Sequence, residues 1–465
     1  MIGEEPVLNS SMTQHYDLII IGTGSGNSIP SEEFADQKIA IVEKGAFGGT
    51  CLNVGCIPTK MYVYAADRAF EAQDSQRLNI ETSYHGADWQ AIVSRVFEQR
   101  IDKIAEGGEA YRRGPETPNI DVYADHARFV GERTLQVGSD TITGDRIVIA
   151  AGARPSIPPV IAESGVPYHT NEDIMRLDKQ PESLVIVGGG FIAMEFAHVF
   201  SSLGTKVTVI NRSPLLRNLD EDLSRRFNEI NQQRFDARIG RTVASATSDA
   251  SGVTLTLDDD SVVTADALLV ATGRRPNGDQ LDVDKAGIAL HEDGRIKVDE
   301  FGRTTAEGVW ALGDVSSPYQ LKHVANAEQR AVAHNLLHPE DMRPMPHEHV
   351  PSAIFTHPQI ATVGLTEAQA REQGYDVTVK VQAYGDVAYG WAMEDSEGIV
   401  KLVADKATGQ LLGAHLMGAQ ASTLIQQLIT AMVYQLDMRT FARSQYWIHP
   451  ALPEVIENAV LGLEF

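Results

Sequence analysis

Gly48-Gly49-Thr50-Cys51-Leu52-Asn53-Val54-Gly55-Cys56-Ile57-Pro58-Thr59-Lys60 carries both cysteines of the chain, five positions apart. A curled loop can close that spacing into a disulfide. Pro58 suits the first turn of a helix, where its missing N–H costs nothing. Lys60-Met61-Tyr62-Val63-Tyr64-Ala65-Ala66 continues that helix. Cys56 then stands at a helix N-terminus, where the partial positive charge favours thiolate over thiol. Two thiols, one activated and able to exchange with its neighbour, make a redox pair. Two plainer readings compete with it. A structural disulfide closing so short a loop would stabilise by only about 2 kcal/mol, and a chain of 465 residues has core enough without it. A zinc site needs four ligands, and no further cysteine exists to complete one.

The length predicts two to four domains. A 43% hydrophobic composition is that of a globular protein, and no apolar run is long enough for a membrane span. The acidic opening Met1-Ile2-Gly3-Glu4-Glu5-Pro6 lacks the core of a signal peptide. The expectation is a soluble, cytoplasmic protein with a flexible lead-in over residues 1–14, where Met12 could itself begin the protein. A formal charge of −24 argues against nucleic acid, which demands a basic face, and against docking on anionic lipid. It fixes no substrate and reads most simply as a solvated acidic surface.

Upstream of the cysteines, Tyr16-Asp17-Leu18-Ile19-Ile20-Ile21 has the apolar run of a buried parallel strand. Gly22-Thr23-Gly24-Ser25-Gly26-Asn27-Ser28 follows directly, a glycine turn whose backbone N–H groups can approach a pyrophosphate. The motif is imperfect, since Asn27 stands where the third glycine is expected. A short helix over 28–36, with Pro30 near its start, leads to a second strand, Lys38–Val42. Glu43 ends it, an acid placed to hold a ribose hydroxyl pair. Residues 87–112 predict a charged amphipathic helix with Ile92, Val93, Val96, Ile101 and Ile104 on its apolar side. The stretch 119–143 is β-like and runs into the strand and glycine stop of 146–155.

A second unit repeats the pattern. Leu184–Val187 is a strand, and Gly188-Gly189-Gly190-Phe191-Ile192-Ala193 is a complete G-x-G-x-x-A turn with Glu195 on the following helix. The next strand, Lys206–Ile210, ends in Asn211-Arg212, with Arg217 five residues on. An acid there would repel a 2′-phosphate, and arginine binds one through charge-assisted hydrogen bonds. Opposite chemistry at the two strand ends implies two different dinucleotides. Either arginine could equally be surface solvation. Ala271-Thr272-Gly273 closes this unit, and Gly313-Asp314 ends a later strand with an acid able to hold a hydroxyl chain. From about 349 a hairpin (397–405 and 410–416) and an apolar helix with Leu424, Ile425, Leu428, Ile429, Met432 and Val433 follow. His449 then precedes a proline-initiated helix holding Glu454, and a His held by a carboxylate is a poised proton shuttle.

Together these motifs, in this order from about residue 15, resemble the pyridine nucleotide–disulfide oxidoreductases. The resemblance implies an α/β fold of two tandem Rossmann-like domains and a C-terminal α+β dimerisation domain. The expected boundaries are 15–154 for FAD binding, 155–278 for NAD(P)H binding, 279–348 for the return to the FAD domain and 349–465 for dimerisation. It implies Cys56 as the thiolate next to FAD, Cys51 as the interchange thiol, and His449, oriented by Glu454, as the proton shuttle of the other subunit's cysteine pair. Lys60 and Glu195 would form an ion pair near the flavin, and Asp314 would hold its ribityl chain. The implied cofactor-binding positions are Gly22, Gly24, Gly26, Glu43, Gly49, Thr50, Lys60, Gly152, Gly188, Gly190, Ala193, Glu195, Arg212, Arg217, Gly273 and Asp314. NADPH is the expected donor, with NADH weaker, and the expected assembly is a homodimer. No metal is expected. Phe191, Asn27 and the short helix after Ser28 depart from the family pattern. Gly22–Ile29, Cys56–Met61 and Trp447–Glu454 most resemble the branch that reduces the disulfide of mycothiol, a cysteine capped with an amino sugar and inositol. A dihydrolipoamide dehydrogenase, or a flavin redox sensor without turnover, is the alternative.

Overall fold

A computed structural model describes residues 13–465. Most of the expected lead-in lies outside the described residues, and the first strand already begins at Gln14. The chain divides into two compact units. One comprises Met1–Pro58, Arg95–Arg154 and Arg274–His347, and the other Thr59–Ser94, Pro155–Gly273 and Glu348–Phe465.

The first unit is built on a seven-stranded sheet. Strand Gln14–Ile21 lies between Ile39–Val42 and Asp140–Ile149, parallel to both, and Ile120–Tyr123 extends the parallel side beyond Ile39–Val42. Val309–Ala311 joins the far end of Asp140–Ile149 in parallel, and two antiparallel strands, Thr134–Val137 and Ala127–Gly131, take its near end. Leu18, Ile19, Ile20 and all of Ile39–Val42 are buried on both faces, which is why these strands read as unbroken apolar runs.

The second unit holds a parallel four-stranded sheet in the order Asp236–Ile239, Lys206–Asn211, Ser183–Val187, Ala267–Val270. It also holds a three-stranded antiparallel meander over 243–265 and a five-stranded antiparallel sheet over 352–417. The predicted hairpin is the pair Ile399–Asp405 and Leu411–Met417. The two glycine turns are built alike. Gly22 has φ +102°, and a Cβ there would strike the Ala150 carbonyl at 2.3 Å; Gly188 has φ +131°, and its Cβ would strike the Ala271 carbonyl at 2.2 Å. Each turn therefore requires glycine. The expected α/β fold is what forms, with the C-terminal α+β elements grouped in the same unit as the four-stranded parallel sheet.

Four local expectations need correction. No α-helix follows the first glycine turn; residues 26–34 form two 3₁₀ turns, Gly26–Ser28 and Glu32–Phe34, since Pro30 and the polar run between them cannot sustain a helix. The helix at 87–112 is broken in phase by a π-helical turn at Phe97–Ile101 between Trp89–Val96 and Asp102–Arg112. The inserted residue rotates the later part, so Ala105 and Arg112 are buried and Ile104 is exposed. The apolar stripe at 424–433 is divided between Ala421–Leu424 and Gln426–Val433 and packs into its own unit's core, except for exposed Val433. The last helix is Glu454–Leu461, capped by Pro453 rather than opened by Pro450.

Candidate active site

The cysteine loop is fixed by backbone contacts. Gly49 has φ +69°, and a Cβ on it would stand 2.7 Å from the Gly24 Cα. The loop therefore lies directly on the first glycine turn. The Gly48 N–H donates to Thr23 Oγ1 at 2.9 Å. The buried Asn53 amide donates to the carbonyls of Phe47 (2.9 Å) and Gly49 (3.1 Å). Thr50 accepts the Val54 N–H through its carbonyl at 3.0 Å, so Gly49–Asn53 closes as one short helix. Cys51 lies half-buried in it, and Cys56 is exposed as the first residue of Cys56–Asp74. The Cys51 thiol is pushed up in pKa by its hydrogen bond with Cys56 and then by burial, with the Lys322 ammonium acting in the opposite sense. That hydrogen bond puts the two thiols side by side, as exchange between them requires.

Around the first turn, Glu43 Oε2 accepts both the N–H (3.0 Å) and the hydroxyl (2.7 Å) of Thr23, and Oε1 accepts the Gly45 N–H at 2.9 Å. The acid thus stands at the strand end as the spacing required, pinned by Thr23, a residue sequence reasoning passed over. Gly24 and Gly152 each have open space where a Cβ would be, whereas Gly26 packs on Ala150, its Cβ position 2.8 Å from that methyl. Asp314 lies in the turn Gly313–Val315; burial raises its pKa, and Arg274, at 3.9 Å, opposes this. Behind it the fully buried Glu328 accepts the Gly313 N–H at 2.7 Å and bonds His347 at 2.6 Å. An open glycine turn, an acid at the strand end and a second buried acid fit the ribose, pyrophosphate and hydroxyl chain of a flavin dinucleotide.

In the other unit Lys60 Nζ meets Glu195 Oε2 at 2.5 Å, and Glu195 Oε1 accepts the Phe355 N–H at 2.9 Å. Lys60 lies one turn beyond Cys56 on the same helix. Ala193 is fully buried on Phe191–Ser202, Gly190 caps that helix with open space beside it, and Phe191 is exposed. Gly273 has φ +130°, and its carbonyl accepts the Ser156 N–H at 2.9 Å. The Asn211 side chain lies against Gly189, where a Cβ would fall 2.3 Å from Nδ2. Arg212 and Arg217 are both exposed on a loop that returns to the turn, with the Leu216 N–H donating to the Gly189 carbonyl at 2.8 Å. These groups fit a phosphorylated dinucleotide. His449 Nδ1 stands 2.7 Å from Glu454 Oε1, and Glu454 Oε2 accepts the Ala451 N–H at 3.1 Å. The His449 hydrogen bond holds the Glu454 carboxyl below its ordinary range, and the imidazole is exposed.

Residues 16–331 match the family described as pyridine nucleotide-disulphide oxidoreductase, and residues 350–460 match its dimerisation domain. The chain belongs to that family. Mycothione reductase of Mycobacterium tuberculosis is 56% identical over 459 residues, covering 96% of this chain and 99% of that one. Glutathione reductase of Burkholderia cepacia is 32% identical, covering 94% and 97%. Among solved structures, the HOCl-induced flavoprotein disulfide reductase of Escherichia coli superposes with a TM-score of 0.85 at 28% identity, covering 97% of this chain and all of that one. This pyridine nucleotide-disulphide oxidoreductase is a flavin disulfide reductase, and its membership implies FAD and NADPH as cofactors. No group of three or more metal-ligating side chains occurs among the described residues, and none of their helices is long and apolar enough to cross a membrane.

Proposed function

We propose that this enzyme reduces mycothione to two molecules of mycothiol in the cytoplasm, as a homodimer. The observation that carries the reading is the gradient of likeness: 56% identity over 96% of the chain to mycothione reductase, against 32% to a glutathione reductase and 32% to the dihydrolipoyl dehydrogenase of Corynebacterium glutamicum. Surface chemistry supports it. Mycothiol carries no net charge and offers mainly hydroxyls, whereas glutathione carries two carboxylates and an ammonium. The segment after the first glycine turn exposes Ser28, Ser31, Glu32 and Glu33, and the C-terminal stretch exposes Gln445 and Tyr446. Arg443 is exposed beside them. Trp447 beside them is half-buried, packs edge-on to Phe441 and donates to the Ala442 carbonyl at 2.9 Å.

Bound FAD supplies two-electron transfer from NADPH to the cysteine pair. The reduced chain then does the rest. Cys51, passing its proton to the partner subunit's His449, attacks one sulfur of the substrate, forming a mixed disulfide and displacing the first thiolate. Cys56 attacks Cys51, which releases the second thiol and leaves the Cys51–Cys56 disulfide. The partner subunit's His449 returns the Cys51 proton to the first departing thiolate and passes one taken up from water to the second, and Glu454 holds the imidazole for it. Steady-state assays of mycothione, glutathione disulfide and lipoamide test the assignment. Sites built to hydrogen-bond one group reject analogues lacking it, so mycothione should lead in kcat/KM by at least about a hundredfold, or about 2.7 kcal/mol. Equal turnover of glutathione disulfide or lipoamide overturns the substrate and leaves the flavin–dithiol chemistry standing.

A further inference from the structure

The first dinucleotide turn lacks the device its motif advertises. A pyrophosphate ordinarily sits at the N-terminus of the helix after the glycines, where free N–H groups and the macrodipole favour negative charge. Here Gly26–Ser28 is a single 3₁₀ turn, too short to sum a useful dipole. Two cations stand at the same turn instead. Arg112 is buried and donates only to neutral oxygens: Asn27 Oδ1 at 2.9 Å, the Asn27 carbonyl at 2.6 Å and the Pro30 carbonyl at 3.4 Å. Lys322 Nζ donates to Ser25 Oγ at 3.0 Å. Among the described residues neither has a carboxylate at ion-pair distance, in a chain with 63 acidic residues and 39 basic ones. Lys322 opens the helix Lys322–Leu337. Asn326 of that helix accepts the Ser25 hydroxyl at 2.9 Å, and Gln329 donates to the Ser28 carbonyl at 2.9 Å. Positions 322, 326 and 329 share one helical face, so one stripe grips the turn from Ser25 to Ser28.

We propose that Lys322 supplies the positive charge that the missing helix would have given, binding the pyrophosphate of FAD at the 22–28 turn, with Arg112, Asn326 and Gln329 positioning the turn to receive it. The assignment rests on the flavoprotein reading. The Lys322 charge also acts to lower the pKa values of Cys51 and Asp314, both in this unit. A dianionic group entering there would find one cation bound only to a hydroxyl and able to turn to it.

The test measures FAD retention. Holoenzyme is diluted serially at low and high salt, and released flavin is read by its fluorescence. Lys322→Gln, which can keep the bond to Ser25 and loses the charge, should release FAD at a concentration at least about tenfold higher, the scale of one charge-assisted contact. Its retention should also depend less on salt than that of the wild type. Lys322→Arg should restore both. Lys322→Gln holding FAD as tightly as wild type, with the same salt dependence, overturns the proposal and leaves Lys322 as a structural link. If Lys322→Gln does not fold, Lys322→Met and Lys322→Arg are compared in its place, and equal retention by those two likewise overturns it. A wild type that purifies and reconstitutes without FAD would instead refute the flavoprotein reading itself.

Discussion

Replacing Lys401 by methionine removes the centre of a buried ion cluster. Its side chain is 3% exposed, and Nζ meets Asp222 Oδ2 at 2.7 Å, Asp220 Oδ1 at 2.9 Å and Glu367 Oε2 at 2.9 Å. Burial works against the ammonium, but the bonds to Asp222, Glu367 and Asp220 more than offset it and raise its pKa. In Lys401→Met the carboxylates of Asp222 and Glu367, 37% and 29% exposed, can turn to water. Asp220, 2% exposed, cannot; it keeps only the N–H groups of Asp222 (3.1 Å) and Glu367 (3.2 Å). One buried carboxylate losing its counter-charge costs about 3 kcal/mol, the lower end for a broken buried pair. For a unit of this size that is a little under about 2 °C per kcal/mol, so the melting temperature near neutral pH should fall by about 5 °C. The pH dependence carries a second signature. Lys401 holds the carboxyls of Asp222 and Glu367 below their ordinary range. In the wild type their contribution is present above about pH 4 and is lost as the pH falls through their folded pKa values. Without the ammonium the crowded carboxylates prefer to be protonated, so the deficit should shrink as the pH drops toward about 5. Thermal melts across that range decide the matter. A variant within about 2 °C of wild type at neutral pH, or a deficit that grows on acidification, refutes the reasoning. Asp220 also caps Glu221–Asn231, the helix that closes the Arg212–Arg217 loop, so KM for NADPH should rise as well.

Replacing Arg212 and Arg217 together by alanine should erase the preference for NADPH over NADH, a change of about ten- to a hundredfold in relative kcat/KM; unchanged selectivity would make both arginines surface solvation. Mixing inactive Cys51→Ser and His449→Ala chains should recover activity in reassembled dimers, since some sites then carry neither lesion; active monomers on a sizing column would refute catalysis between subunits. Glu454→Gln should lower kcat with the disulfide by about tenfold or more, while stopped-flow reduction by NADPH without disulfide stays at the wild-type rate. A slowed reductive half-reaction would show that Glu454 does more than hold His449.

The parts of the site written in local sequence were legible. Strand, glycine turn and end-of-strand acid follow each other within one crossover, so Gly22, Gly188 and Glu43 fall where spacing puts them. His449 and Glu454 are five residues apart and meet at 2.7 Å. The pair Lys60–Glu195 spans 135 positions and was available only through the family likeness. What escaped was set by long-range packing or by a change of phase. The π turn at Phe97–Ile101 carries Arg112 onto the buried face with Ile101 and Ala105, and a uniform 3.6-residue period chose Ile104 instead. Pro30 signalled that the following helix would be weak, but the side chains that replace it come from 112 and 322–329. No window of sequence joins those positions.

The seating of Gly49 on Gly24 bears on how much the molecule must rearrange in each cycle. The two backbones are in contact, and Thr23 and Asn53 fasten the cysteine loop on either side. In the proposed cycle, forming and breaking the Cys51–Cys56 bond is then accomplished by rotation of the sulfurs about their own side-chain bonds, with little travel of the main chain. The cost of switching between dithiol and disulfide falls on two torsions and one thiol hydrogen bond. Hydrogen-exchange rates of the 47–55 amides should accordingly be nearly the same in the oxidised and the reduced enzyme, and the redox centre can turn over quickly without a breathing loop to wait for.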